Sequence, residues 1–111
     1  MGVYDTATKL ASEIKSSKEY KHFKNSMSEV KKDKNAEALL KDYRIIQMEI
    51  QKQTMRNLPI DKKLQRKIES IQKKANSNKK VNNYLTSERE ITILMDNINK
   101  ILGKAIEEDY K

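Results

Sequence analysis

From Val81 to Ala105 the chain sets Val81, Tyr84, Glu88, Ile91, Met95, Ile98, Leu102 and Ala105 at alternating steps of three and four. A line that runs more than three heptads without a slip is one face of a long helix. Leu85, Leu94, Ile101 and Ile106 broaden that face. A helix of about 30 residues is about 45 Å long. A compact chain of 111 residues has a diameter of only about 34 Å. The helix would therefore overhang a monomeric globule, with Ile98, Leu102 and Ile106 on the overhang. A second copy is the simplest surface to cover them, and two-fold closure is the commonest arrangement. The expectation is an all-α, five-helix bundle with a long C-terminal helix, self-associating as a dimer or higher oligomer through the seam named above and part of the third helix.

Glu88 is the odd member, a carboxylate on an apolar line. Either it meets a basic residue across an interface, or Thr86 or Ser87 caps a fresh helix at that point and the line is broken. The unbroken spacing favours the first. Gly103 lies off the seam, at a cost of about 1 kcal/mol relative to Ala.

Four shorter amphipathic segments precede the seam. Val3, Ala7, Leu10, Ala11 and Ile14 stripe the first, with Asp5 or Thr6 as its cap. Met1 to Thr6 also fits the short, loose myristoylation pattern. Ser16 with Glu19 three positions on reads as a capping box, opening a helix striped by Tyr20, Phe23, Met27 and Val30. Asp33 or Asn35 caps the third, along which Ala36, Leu39, Leu40, Tyr43, Ile46, Ile50 and Thr54 form one side. Ile45, Met48 and Met55 add apolar surface elsewhere on it. Asn57-Leu58-Pro59 stops it, since proline lacks an N–H and disfavours a helical residue before it. Asp61 caps the fourth, striped by Leu64, Ile68, Ile71 and Ala75, and Asn76-Ser77-Asn78 breaks the chain before the seam. With two Gly and one Pro there is little material for the turns of a sheet. No linker divides the chain, so residues 1–111 are expected to form a single all-helical domain.

The fourth segment carries the charge. Between Lys62 and Lys80 lie eight basic residues and one acid, Glu69, so this window holds +7 of a chain whose net charge is +8. Six of the eight, Lys62, Lys63, Arg66, Lys67, Lys73 and Lys74, fall on one helical arc of about 140°. The apolar stripe takes a separate arc, and Gln65, Glu69 and Gln72 a third. Lys79 and Lys80 extend the charge into the break. Clustered cations of this kind gain affinity for phosphate backbones by counterion release, so direct RNA or nucleic-acid binding through residues 62–80 is one reading. An acidic protein partner or a solvated face is the other. Seven of the eight are Lys rather than the bidentate Arg, and no aromatic lies in the arc to stack on a base.

Catalytic and cofactor chemistry finds no foothold. Without cysteine there is no disulfide, thiolate site or Cys nucleophile. His22 is the single histidine and has no ligand set around it. Two glycines cannot make a phosphate-cradling loop, and the serines and threonines lack a base-bearing constellation. Glu107-Glu108-Asp109 is an acidic helix end, unfavourable to the dipole, and not a catalytic dyad. The expectation is a protein that is not an enzyme and uses no cofactor, metal or small-molecule substrate. No apolar run approaches the roughly 20 residues that span a bilayer, and no secretory signal is visible, so a cytoplasmic setting without membrane contact is expected.

Tyr43-Arg44-Ile45-Ile46-Gln47-Met48-Glu49-Ile50-Gln51, followed by Met55, Leu58 and Ile60, resembles the middle of the YlbF/YmcA family of small helical bacterial proteins, most of all its YheA-like branch. Val81, Leu85, Glu88, Ile98-Asn99-Lys100-Ile101 and the closing Glu107-Glu108-Asp109-Tyr110 are similar to that family's tail. The likeness spans nearly the whole chain and rests on helical spacing and a few polar positions. It implies a cytosolic, self-associating helical protein without catalytic residues, acting as an adaptor through protein–protein interaction. It also implies protein partners in RNA processing, since some members work in a complex that modulates it and, through it, competence, sporulation and biofilm formation. Certain relatives carry a cysteine-bearing tail linked to an iron–sulfur cluster. This chain has no cysteine to hold one.

Overall fold

The computed structural model describes residues 2–110, which form five α-helices and a closing 3-10 turn, with no strand among them. The helices are α1 (Val3–Ser16), α2 (Lys18–Lys31), α3 (Lys34–Met55), α4 (Lys62–Ser77) and α5 (Lys79–Glu107), and the turn is Glu108–Tyr110. The all-helical expectation holds, long last helix included: α5 has 29 residues, about 44 Å. It runs unbroken through Thr86 and Ser87, so the fresh-helix alternative for Glu88 falls away. None of the described helices is long and apolar enough to cross a membrane.

The helix ends follow side-chain chemistry, with two corrections to the expected caps. Helix α1 starts earlier than expected: Gly2 is at the N-cap and Asp5 lies one turn in, accepting the Gly2 N–H at 3.3 Å. Of the myristoylation pattern only Met1 lies outside the described residues; Gly2 to Thr6 make the N-cap and opening turn of α1. At the next junction Ser17, not Ser16, caps α2. Its Oγ accepts the Tyr20 N–H at 3.1 Å and donates to the Ile14 carbonyl at 2.6 Å. One hydroxyl thus ends α1 and starts α2, which is why a single residue suffices between them.

Asp33 caps α3, accepting from the N–H groups of Asn35 and Ala36 at 3.0 and 3.2 Å. Asp61 caps α4 through the Leu64 N–H at 2.8 Å, and Asn78 caps α5 through the Val81 N–H at 3.1 Å. The end of α3 is a Schellman motif. The Leu58 N–H reaches back to the Gln53 carbonyl at 2.9 Å and the Asn57 N–H to Thr54 at 3.1 Å. Asn57 sits at φ 55, the left-handed region. The helix has already closed there, two residues before Pro59.

The chain groups into two compact units, Met27–Tyr84 and Met1–Ser26 with Leu85–Lys111. In the first, α3 and α4 pack against each other. Its core is Val30, Ala36, Leu64, Ile71, Ala75, Val81 and Tyr84, all under a tenth exposed. Lys80 Nζ pairs with Asp33 at 3.4 Å. Arg44 donates to the Tyr84 hydroxyl at 3.5 Å and to Gln47 Oε1 at 3.1 Å, with its guanidinium 5.9 Å from the centre of the Tyr84 ring. In the second unit His22 Nδ1 lies 3.2 Å from Glu90 Oε1, joining α2 to α5. Its buried side chains are Ser26 and Ser87, and no large apolar side chain described there is fully buried.

Two measurements check these ends. Asn57→Gly should leave stability within about 0.5 kcal/mol, because Gly adopts the left-handed region freely, whereas Asn57→Val should lower it by about 1–2 kcal/mol in denaturant unfolding. The Ala36 N–H, with Lys80 beside it, holds the Asp33 carboxyl below its ordinary 3.8 against the opposing effect of partial burial. Its stabilisation is complete above the unfolded value and is lost as pH falls from there through the lower folded value. Asp33→Asn keeps a cap-forming oxygen but cannot titrate. Thermal melts of that variant should show a shallower loss of stability below about pH 4.

Candidate interaction surfaces

Helix α4 presents the three arcs expected of it. Leu64, Ile71 and Ala75 are buried and Ile68 is half-buried, while Lys62, Lys63, Arg66, Lys67, Lys73 and Lys74 are all exposed. The arcs separate because burying one stripe fixes the roll of the helix, and every cation lies off that stripe. Of the two lysines beyond α4, Lys79 is exposed and Lys80 is half-buried in its pair with Asp33. The ridge is therefore seven exposed cations, with no ion pair at any of them among the described residues, and an eighth tied into the fold.

The ridge also borders a cleft, which sequence spacing alone had not drawn out. Alongside α3 it forms a groove of about 450 Å³ with Ile46 and Ile71 in it, Asp42, Ile45 and Glu49 on the α3 side and Arg66 and Lys67 on the α4 side. A second hollow of about 410 Å³ lies between Leu39 of α3 and Lys73, Lys74, Ser77 and Asn78. The order of contacts shows α3 and α4 running antiparallel. Asp42, Ile45, Ile46 and Glu49 stand at i, i+3, i+4 and i+7, so their shared face was open to detection from spacing. What hid it was the assignment of Ile45 to a separate apolar surface. Ile45 is 48% and Met48 58% exposed, and with Met55, Leu58 and Ile60 they make the α3 end of this unit apolar on the outside.

The seam on α5 divides along its length. Val81 and Tyr84 face the core of the Met27–Tyr84 unit. Glu88, Ile91 and Ile98 are half-buried, and Met95, Leu102 and Ala105 are exposed. The C-terminal stretch also leaves Ile101 and Ile106 in the open, as α1 does Val3 and Tyr4. A heptad records that a face is apolar but not which surface covers it.

Among the described residues no cluster of three or more His, Cys, Asp or Glu could hold a metal ion.

Comparison with known proteins bears on the whole chain. The family model for the control of competence regulator ComK, YlbF/YmcA, matches residues 3–107. A UPF0342 protein of Ligilactobacillus salivarius is 32% identical over 110 residues, covering 99% of this chain and 96% of its own. One from Clostridium novyi is 30% identical over 110 residues with the same coverage. Among solved structures, a DUF964 protein from Bacillus stearothermophilus superposes with a TM-score of 0.82 at 21% identity, over 98% of this chain and 96% of that one. Bacillus subtilis RicA, crystallised in complex with RicF, superposes with a TM-score of 0.67, also at 21% identity and over the same shares. At that identity the two structures speak for the fold alone.

Proposed function

The chain belongs to the YlbF/YmcA family, and on that footing we propose that it is a non-enzymatic, cytoplasmic helical adaptor that self-associates and binds other proteins. The observation carrying this reading is the unit of Met1–Ser26 with Leu85–Lys111. It has no fully buried large apolar side chain among its described residues, yet Ile101, Leu102 and Ile106 are 69%, 54% and 62% exposed. Covering each contributes on the order of 1–2 kcal/mol. Association costs about 4–15 kcal/mol in lost freedom, so these three fall short without help. Val3 and Tyr4 of α1, and Met95 and Ile98 of α5, supply further apolar surface in the same unit. A second copy meeting this surface would bury the distal part of the seam that the chain's own core does not use. RicA, of the same fold, is a protein seen in complex with a protein, which supports an adaptor role.

Sedimentation velocity at micromolar concentration tests this. The chain should run as a dimer or larger. Ile101→Lys combined with Leu102→Lys should weaken self-association by about tenfold or more, and the exposure of both side chains leaves the fold intact. A wild-type chain that stays monomeric removes the self-association reading.

Direct nucleic-acid binding through Lys62–Lys80 is a second reading, favoured by seven exposed cations that make no ion pair among the described residues. Single-stranded RNA should then bind with an affinity that falls as salt rises, by roughly 0.7 in log-log slope per phosphate contacted. Changing Lys63, Arg66, Lys67 and Lys74 to Glu should abolish binding and leave sedimentation unchanged. Binding that persists with an unaltered slope places any nucleic-acid contact elsewhere.

A further inference from the structure

We infer that the cleft between α3 and α4 is a docking site for an amphipathic helix of another protein, one that carries carboxylates along the flank lying against α4 and basic residues along the other. The inference rests on the adaptor reading and adds to it the surface used and the chemistry of the partner. Four observations carry it.

The cleft is apolar within, where Ile46 is half-buried and Ile71 buried, and it is bordered by an exposed Ile45. Its two rims carry opposite charge: Arg66 and Lys67, continued by Lys73 and Lys74, on α4, against Asp42 and Glu49 on α3. None of these six makes an ion pair among the described residues. From Leu39 to Glu49 the α3 wall rises about 15 Å, the length of about three helical turns.

An apolar floor between charged rims is the geometry of helix-in-groove recognition. The floor supplies affinity, and the rims reject occupants of the wrong charge. A helix lying there with acids toward α4 and bases toward α3 would complete both rims at once. A nucleic acid would not, because Asp42 and Glu49 repel its phosphates and the cleft offers no aromatic side chain for its bases.

The test uses the full chain and a fluorescent, helix-stapled synthetic peptide of about 14 residues. The peptide has Leu at three-four spacing, Glu along one flank and Lys along the other. It should bind saturably in an anisotropy titration. Arg66→Glu combined with Lys67→Glu should weaken that binding by about tenfold or more. A second peptide with Lys on both flanks should show the reverse preference, binding the double variant over the wild type. That exchange cannot arise from misfolding, which would cost both peptides. Absence of binding, or binding indifferent to the charge exchange, overturns the inference, as does displacement of the peptide by single-stranded RNA at lower concentration than unlabelled peptide. Sedimentation of the double variant separates the two readings. An unchanged oligomer leaves the self-association reading standing whatever the peptides do. An oligomer that falls apart identifies the cleft as a contact between copies and also overturns the inference.

Discussion

Burial of one stripe of α4 organises the Met27–Tyr84 unit. Leu64, Ile71 and Ala75 lie one to two turns apart on one side of the helix, and packing them inward fixes its roll. Once that is set, the positions of the cations are no longer free. Every basic residue of α4 falls outside the stripe and must stand at the surface or on the lip of the cleft with α3. Ala36 sits buried at the start of α3, just after the Asp33 cap. The same cap carboxylate also pairs with Lys80. The first turn of α5 is thereby tied to the first turn of α3 by the residue that starts α3, so local helix chemistry and tertiary position are set by one side chain.

Burial is unequal between the two units. All seven buried apolar residues described belong to Met27–Tyr84, whereas the unit of Met1–Ser26 with Leu85–Lys111 buries two serines. In a chain this small the core is lean in any case. The difference means that local opening costs least where the apolar surface is already least covered. Ordering of α1 and the distal half of α5 is then the part of the fold most responsive to a bound partner, because binding stabilises whatever it selects.

Periodicity made the helices legible, and α4 most of all, since its three kinds of residue occupy three arcs. The caps at Asp33 and Asp61 were also readable, because a carboxylate just before an apolar-periodic run has few other uses. Ser16 and Ser17 could not be separated on composition. What selects Ser17 is its ability to bond both the preceding carbonyl and the following N–H, a geometric fact. Asn57-Leu58-Pro59 was legible as the stop of α3, but the proline is not its cause: the left-handed Asn57 is what closes the helix. The Lys80–Asp33 pair joins residues far apart in sequence, so the charge run looked uniform when one of its members was committed to the fold. The seam posed the opposite difficulty: a faultless heptad concealed that Val81 and Tyr84 serve the chain's own core and only its later positions lie open.

The preponderance of lysine on the ridge fits a surface that discriminates more than it grips. A lysine ammonium is strongly hydrated and mobile, and exposed ion pairs contribute about 0–1 kcal/mol each. Arg66 and Lys67 opposite Asp42 and Glu49 can therefore govern encounter rate and orientation but cannot by themselves hold a partner. Affinity has to come from the apolar strip of Ile45, Ile46 and Ile71, which is short. A surface so built favours exchangeable contacts with a defined class of partner. The apolar reach of α5 and α1 is longer and is not edged by a comparable ridge of cations. Of the two surfaces, it is the one whose physics suits a lasting contact between like chains.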